Sequence, residues 1–399
     1  MSIIRCYINV DGAKFLLYNL HYKGDGRMIK RLPASYCGEI DFWKFLCCIV
    51  IVIHHSFQIF GERVYMGSGS ICVEFFFMVT GYLTAMSVAK KNEKFESSKI
   101  GTQTVGFLLH KIKGFIYCYA FAVVICLAVR ILTEGVKKTI FSEKFALTIV
   151  DLLFLNSSGL PHWYIFSASW YLSAMLIGLA VIYPIMRKNR DLFVNIIAPL
   201  TAIVLYSVMI KKDGYISGPD NWYYIVTKGV LRGIAGLCLG STAYALCEKI
   251  KKRTYSPAVS VLFSLINITA MAYAFIVLNK DNLDQSITPA VIFMFFLCLC
   301  ISASKVSALS PVFGYSFFSY LGKLSMSIYL CHQSVAYFAS GIIKSSSSLK
   351  NIVTSTPSLR PAILLFYILA SVLLGVICLG VCSRIQNRIN DKKNEPVKA

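Results

Sequence analysis

Charge is scarce in this chain, and negative charge scarcest: only 19 Asp and Glu stand among 399 residues, and charged residues of both signs make up 15%. A soluble domain of that length carries more charge and breaks its apolar runs more often. No polar stretch is long enough for a soluble domain, since the longest segments outside the apolar runs are 1–40, 90–113 and 133–167. Residues 1–40 also lack the unbroken apolar core of about 7–15 residues that a cleavable signal peptide requires, so none is expected. No internal repeat is visible, which disfavours transporters built from inverted halves. Metal-ligand spacing is missing too. None of the 14 cysteines has the flanking partners of a zinc site. His54, His55 and Glu62 lack the i,i+4 histidine pair that puts two ligands on one helix face, so no metal is expected. The cysteines fall in apolar runs or basic connections and are read as small packing residues without a disulfide framework.

What remains is apolar. Hydrophobic residues are 56% of the chain and the mean hydropathy is +0.64. Runs near 42–60, 71–89, 114–132, 168–186, 194–211, 226–247, 258–278, 286–302, 316–343 and 361–382 are each long enough to cross about 30 Å of hydrocarbon as a helix. The short alternating segments of a membrane β-barrel are absent. The fold expected is therefore all-α: a polytopic transmembrane helical bundle of about ten spans, both termini on one side. Clusters such as Lys90/Lys91/Lys94/Lys99, Arg187/Lys188/Arg190, Lys249/Lys251/Lys252/Arg253 and Arg384/Arg388 all fall on that side. The excess of cations on cytoplasmic connections makes it the cytoplasmic one. The net charge of +21 is then topology and membrane-lipid contact, and no nucleic acid need be invoked.

The chain divides into a cytoplasmic N-terminal segment 1–40, a membrane domain 41–385 and a basic cytoplasmic tail 386–399. Residues 1–27 are expected to be dispensable, because a start at Met28 leaves the membrane domain whole. The apolar stretch 14–22, broken by Asn19 and His21, reads as a surface helix or a disordered tail. Segment 90–113 reads as an interfacial helix on the inner side. Ala146–Leu155 is too short to cross and, with Pro161-His162-Trp163-Tyr164, suits the outer interface. Gly233, Gly236 and Gly240 recur at helical spacing in the sixth span, as close helix packing requires.

Ionisable groups at membrane depth are costly and are usually kept for a purpose. Asp41, Lys44 and His55 share one stripe of the first span, because Lys44 and His55 are eleven residues apart, about 1100° of turn. His54 points about 80° away from Lys44. The helix thus offers a cation near the cytoplasmic face and, about 16 Å along, an imidazole able to take a proton from a hydroxyl and return it. Glu74, in the second span, has two uses open to it: orienting His55, or pairing with Arg232.

These residues resemble the bacterial membrane acyltransferase-3 family. Asp41-Phe-Trp-Lys44 with His55 is similar to the family's first helix. Val73-Glu74-Phe-Phe-Phe-Met-Val-Thr80-Gly81-Tyr82-Leu is similar to its second. Ser169-Trp170-Tyr171-Leu172 and Tyr320-Leu-Gly322-Lys-Leu-Ser325-Met-Ser-Ile-Tyr329-Leu-Cys-His332 resemble two later segments, and the likeness runs over about 38–385. The resemblance implies an O-acyltransferase in the bacterial cytoplasmic membrane. Its donor would be acyl-CoA, often acetyl-CoA, from the cytoplasm, and its acceptor a hydroxyl of a cell-surface glycan or lipid-linked precursor at the outer face. It implies His55 as catalytic base; on this reading Glu74 would hold the imidazole in orientation, and Lys44, Lys111, Lys113 and Arg232 would bind the donor's phosphates or offset developing negative charge. Where the family has Arg-x-x-Arg-x-x-Pro before its third helix, this chain has His110-Lys111-Ile-Lys113 and no proline. Lysine is a point charge where arginine is a fork, so phosphate geometry there is altered. The reading from another class is a transporter or flippase for a lipid-linked saccharide, using the same buried ions as a pathway.

Overall fold

The computed structural model describes residues 7–10, 13–16, 30–33, 36–90, 97–139, 148–160, 164–281 and 283–394. Ten long helices make up the described bundle. They are α1 (Gly38–His54), α2 (Cys72–Lys90), α3 (Ile100–Glu134), α4 (Trp170–Lys188), α5 (Ala198–Asp213), α6 (Lys228–Ile250), α7 (Pro257–Leu278), α8 (Ile287–Ser304), α9 (Ser316–Ser345) and α10 (Arg360–Asn394). All but α9 combine the length and the apolarity of a membrane span. At 30 residues α9 is long enough, but its polar side chains lower its apolar character. Those side chains point inward: Ser325, Ser327, His332, Gln333, Ser334 and Ser340 are all buried. Helices α1, α3 and α10 pack around these buried groups.

Contacts between helices establish that all ten alternate in direction. Along α1 and α9, Lys44 meets the Gly322 carbonyl, the Cys48 thiol donates to the Ser325 carbonyl, and His55 faces His332, so the two run parallel. Along α2 and α6, Glu74 meets Arg232 and Tyr82 meets Lys251, again in parallel. Helix α10 runs against α9, with Tyr367 beside His332 and Gly375 beside Ile328. Odd helices thus share one direction and even helices the other. The starts of α1, α7 and α9 gather at one end with Lys251, Arg253 and Lys305, here termed the basic end. His55, Glu74 and Arg232 lie toward the far end.

Three expectations change. Tyr7–Val10 (β1) pairs antiparallel with Ala13–Leu16 (β2), so part of 14–22 is a strand rather than a surface helix or disordered tail. Each strand is rich in β-branched, aromatic or apolar residues. The segment ahead of the third span is not a separate interfacial helix from residue 100 onward. It is the first part of α3, which runs unbroken for 35 residues because no proline interrupts it. Residues 148–160 do more than lie at an interface, for Asp151 is wholly buried. Its carboxylate accepts from the Tyr119 hydroxyl at 3.2 Å, the Asn156 amide at 3.2 Å and the Ile165 backbone N–H at 3.0 Å. Pro161, His162, Trp163, Lys91 and Lys94 lie outside the described residues, as do Lys23, Arg27 and Met28.

The glycines of α6 act as packing surface. A Cβ at Gly240 would collide with the Met78 carbonyl of α2, and one at Gly236 would come within 2.5 Å of the Phe77 Cβ. Gly240→Ala is expected to lower the thermal midpoint of the detergent-purified protein, since overpacking costs about 1–3 kcal/mol. Gly380 on α10 has open space at the same position, so Gly380→Ala should leave the midpoint unchanged or raise it. Equal effects of the two substitutions would remove the packing explanation.

Candidate active site

The inward stripe of α1 carries the first part of the site. Asp41, Lys44 and His55 all face α9, as the helical spacing predicts. Lys44 Nζ sits 2.9 Å from Asp41 and 3.4 Å from the Gly322 carbonyl. Asp41 also accepts from the Tyr36 hydroxyl. A side chain at Gly322 would occupy the space of the Asp41 carboxylate, so glycine there is what lets acid and base seat together between the helices. Lys44 therefore stands balanced by Asp41, with its side chain 23% exposed.

At the far end α1 stops at His54, and His55 caps it with its N–H on the Ile51 carbonyl. The two histidines separate in role. His54 is buried and bonds the Met66 carbonyl through Nδ1 at 2.8 Å, which pins the turn before α2. His55 is half-buried, and its ring centroid lies 5.0 Å from that of His332 on α9. His332 is completely buried; its Nδ1–H donates to the Tyr329 carbonyl at 2.7 Å. A carbonyl only accepts, so in the neutral ring Nε2 keeps its lone pair. That Nε2 and the Nδ1 of His55 are both buried without a hydrogen-bond partner among the described residues. Buried polar atoms are nearly always paired, so two unpaired nitrogens on facing imidazoles mark a place left ready for a proton or a polar ligand atom. The imidazole of the first span is thus one of two.

The start of α4 is held by α9. Gln333 donates to the Ser167 hydroxyl at 2.7 Å and accepts from the Ala168 N–H at 3.1 Å, while Tyr329 donates to the Ala168 carbonyl at 2.9 Å. Tyr171 then lies 5.7 Å from Tyr329 and 4.7 Å from Phe77, ring to ring. Its hydroxyl is 3.5 Å from that of Thr80. The four segments His55, Phe76–Thr80, Trp170–Tyr171 and Tyr329–His332 thus meet in one layer.

Glu74 and Arg232 stand on the other side of that aromatic layer. Both side chains are wholly buried, with Arg232 Nε 2.6 Å from Glu74 Oε1 and Tyr206 donating to Oε2 at 2.6 Å. Arg232 also donates to the Ser70 carbonyl at 3.1 Å, and its guanidinium lies 4.7 Å from the Trp170 ring. Of the two uses open to Glu74, the structure has the pair with Arg232; among the described residues no hydrogen bond or ion pair joins Glu74 to His55. Arg232 does not join Lys44, Lys111 and Lys113, because it lies at the far end of the bundle. Lys111 is half-buried with its ammonium 5.3 Å from the Phe107 ring centroid, and Lys113 is exposed. Tyr206 gave no sequence signal, being one aromatic residue in an apolar span. His332 gave one, in the unusual polarity of α9.

The thirteen described cysteines are free thiols. Cys118, Cys378 and Cys382 bring their sulfurs within 4.8 Å of one another across α3 and α10. Cys118 contacts the Ser327 hydroxyl at 3.7 Å and Cys378 the Cys118 carbonyl at 3.9 Å, as packed thiols do.

Fold and site together define a multi-pass membrane protein with a buried, imidazole-bearing polar layer. The model of the acyltransferase-3 family, described as an acyltransferase domain, matches residues 38–380, and the chain belongs to that family. The match covers α1 to α9 and more than half of α10. No curated protein and no solved structure matches the chain.

Proposed function

We propose that this acyltransferase moves an acyl group, acetyl in the first instance, from acyl-CoA to a hydroxyl of a cell-surface glycan or its lipid-linked precursor. The donor approaches from the basic, cytoplasmic end of a bacterial plasma membrane, and the acceptor from the far end. The observation that carries the reading is the pair of facing imidazoles, His55 and His332, each with a buried nitrogen lacking a partner, inside an acyltransferase fold.

In the proposed step His55 takes the proton of the acceptor hydroxyl as its oxygen attacks the thioester carbonyl. The tetrahedral intermediate then expels the CoA sulfur, which receives that proton from the imidazolium. The ester forms, the thioester breaks, and no metal or redox partner is needed. His332, fixed by the Tyr329 carbonyl, offers its Nε2 lone pair to the His55 ring, directly or through one water. Glu74 acts at one remove, by holding Arg232 and the α2–α6 contact. Lys44, Lys111 and Lys113 supply positive charge on the donor's side.

Membranes containing the protein, incubated with radiolabelled acetyl-CoA, are expected to transfer label to a glycan or lipid-linked saccharide. Saccharide translocation without transfer of label would favour a transporter and overturn the reading.

A further inference from the structure

Helices α3, α9 and α10 pack on one another, and thiols from all three meet at their junction. The sulfurs of Cys118, Cys378 and Cys382 lie within 4.8 Å of one another, the one such group of three ligand atoms among the described residues. Cys378 and Cys382 are one turn apart on α10, so they share a face, and their sulfurs are 3.9 Å apart. Cys118 reaches them from α3. It precedes Cys378 by 260 positions, so no local spacing announces the group. A fourth thiol, Cys331 of α9, meets that of Cys378.

This arrangement is close to that of ligands around a single ion. A metal about 2.3 Å from each of its thiolates holds their sulfurs about 3.8–4.0 Å apart. The pair on α10 has that separation already, and closing Cys118 onto it takes no more than about 1 Å. The contacts that Cys118 and Cys378 now make are long ones, 3.7 Å to the Ser327 hydroxyl and 3.9 Å to the Cys118 carbonyl. Thiols packed in this way need only lose protons to become ligands. Cys378 and Cys382 are buried, and Cys118 is half-buried. Arg384 follows Cys382 by two residues, about 3 Å of rise, so the group lies near the charged basic end, where ions and protons exchange with water. Sulfur ligands without imidazole or carboxylate select soft ions.

We propose that Cys118, Cys378 and Cys382 bind one thiophilic d10 metal ion, Cu(I) or Zn(II), which fastens α3 to α10. Each thiol that ligates gives its proton to water. One thiolate neutralises Cu(I) and two neutralise Zn(II), so an uncharged centre forms without the cost of burying a net charge. Cu(I) is satisfied by three sulfurs. Zn(II) takes four ligands, and Cys331 is placed to supply the fourth. The proposal does not rest on the catalytic reading, whose chemistry needs no metal.

Full-length protein, stripped of metal and kept reduced in phosphatidylcholine nanodiscs, would be titrated with Cu(I) against bicinchoninate and, separately, with Zn(II) against a chromogenic chelator. One equivalent of at least one ion is expected to bind and to raise the thermal midpoint. Cys378→Ala with Cys382→Ala should weaken that binding at least tenfold and cancel the rise. Cys118→Ala, at a half-buried position, gives the same reading should the double variant disturb the fold. Cys126→Ala, which removes a buried thiol elsewhere on α3, should bind like the parent. So should His55→Ala, which separates this result from any failure of the catalytic step. Binding of Cu(I) alone identifies a three-sulfur centre, and binding of Zn(II) identifies a four-coordinate one. Absence of binding by either ion, binding unchanged in both cluster variants, or equal loss in Cys126→Ala would overturn the proposal.

Discussion

His55→Ala is expected to cut acyl transfer by about 10²–10⁴-fold, the usual cost of losing a general base. The protein should still insert and melt near its parent. His55 is half-buried at the end of α1, and the described structure gives its side chain ring contacts but no hydrogen bond. The loss should fall on kcat, with the KM for acyl-CoA little changed, because the donor-phosphate contacts proposed for Lys44, Lys111 and Lys113 lie most of a helix length away. His332→Asn makes the companion test. An asparagine amide can keep the donor to the Tyr329 carbonyl while removing the Nε2 lone pair, so a fall of at least tenfold in kcat is expected without loss of fold. Single-turnover transfer from labelled acetyl-CoA measures both. Near-parental turnover by His55→Ala would place the base elsewhere, and full activity of His332→Asn would reduce that ring to packing.

Glu74→Leu should be the most destabilising single change among those considered. It leaves the Arg232 guanidinium, 0% exposed, without its counter-ion, and breaking one side of a buried pair costs about 3–5 kcal/mol. The Tyr206 hydroxyl loses its acceptor as well. Removing both charges, as Glu74→Leu with Arg232→Met, should recover much of that loss, because desolvation of the pair opposes its attraction. Unfolding of the purified protein in mixed micelles measures the cycle, with a coupling of opposite sign to the single losses expected. A double variant no more stable than the sum of the singles would show that the pair is hydrated and not the buried lock described. Such a result would also reopen a direct part for Glu74 beside His55.

Much of the architecture was legible because membrane-crossing helices announce themselves locally. A run such as Ile287–Ser304 must be long and apolar whatever it packs against. The face of α1 was legible for the same reason: a residue's direction on a helix is fixed by its number, so Asp41, Lys44 and His55 had to share a stripe. Gly240 and its neighbours could be read as packing from their spacing, though not the partner they pack on.

What sequence order left open was which stripe meets which. Glu74 could have turned to His55 or to Arg232, and only the parallel run of α2 beside α6 settles it. Arg232 is distant in sequence from the cations of the basic end, and only the direction of α6 shows that it is distant from them in space too. His332 lies 277 positions after His55, and no local signal pairs them. By itself the sequence determined the all-helical membrane fold, the alternation of its spans and the imidazole at the far end of the first, since these follow from hydropathy and helical periodicity. Tertiary structure alone decided that the second imidazole faces the first, that acid and guanidinium lock α2 to α6, and that thiols of α3 and α10 share one place. Contacts between helices far apart in sequence depend on how apolar faces pack, and packing is a property of the whole bundle.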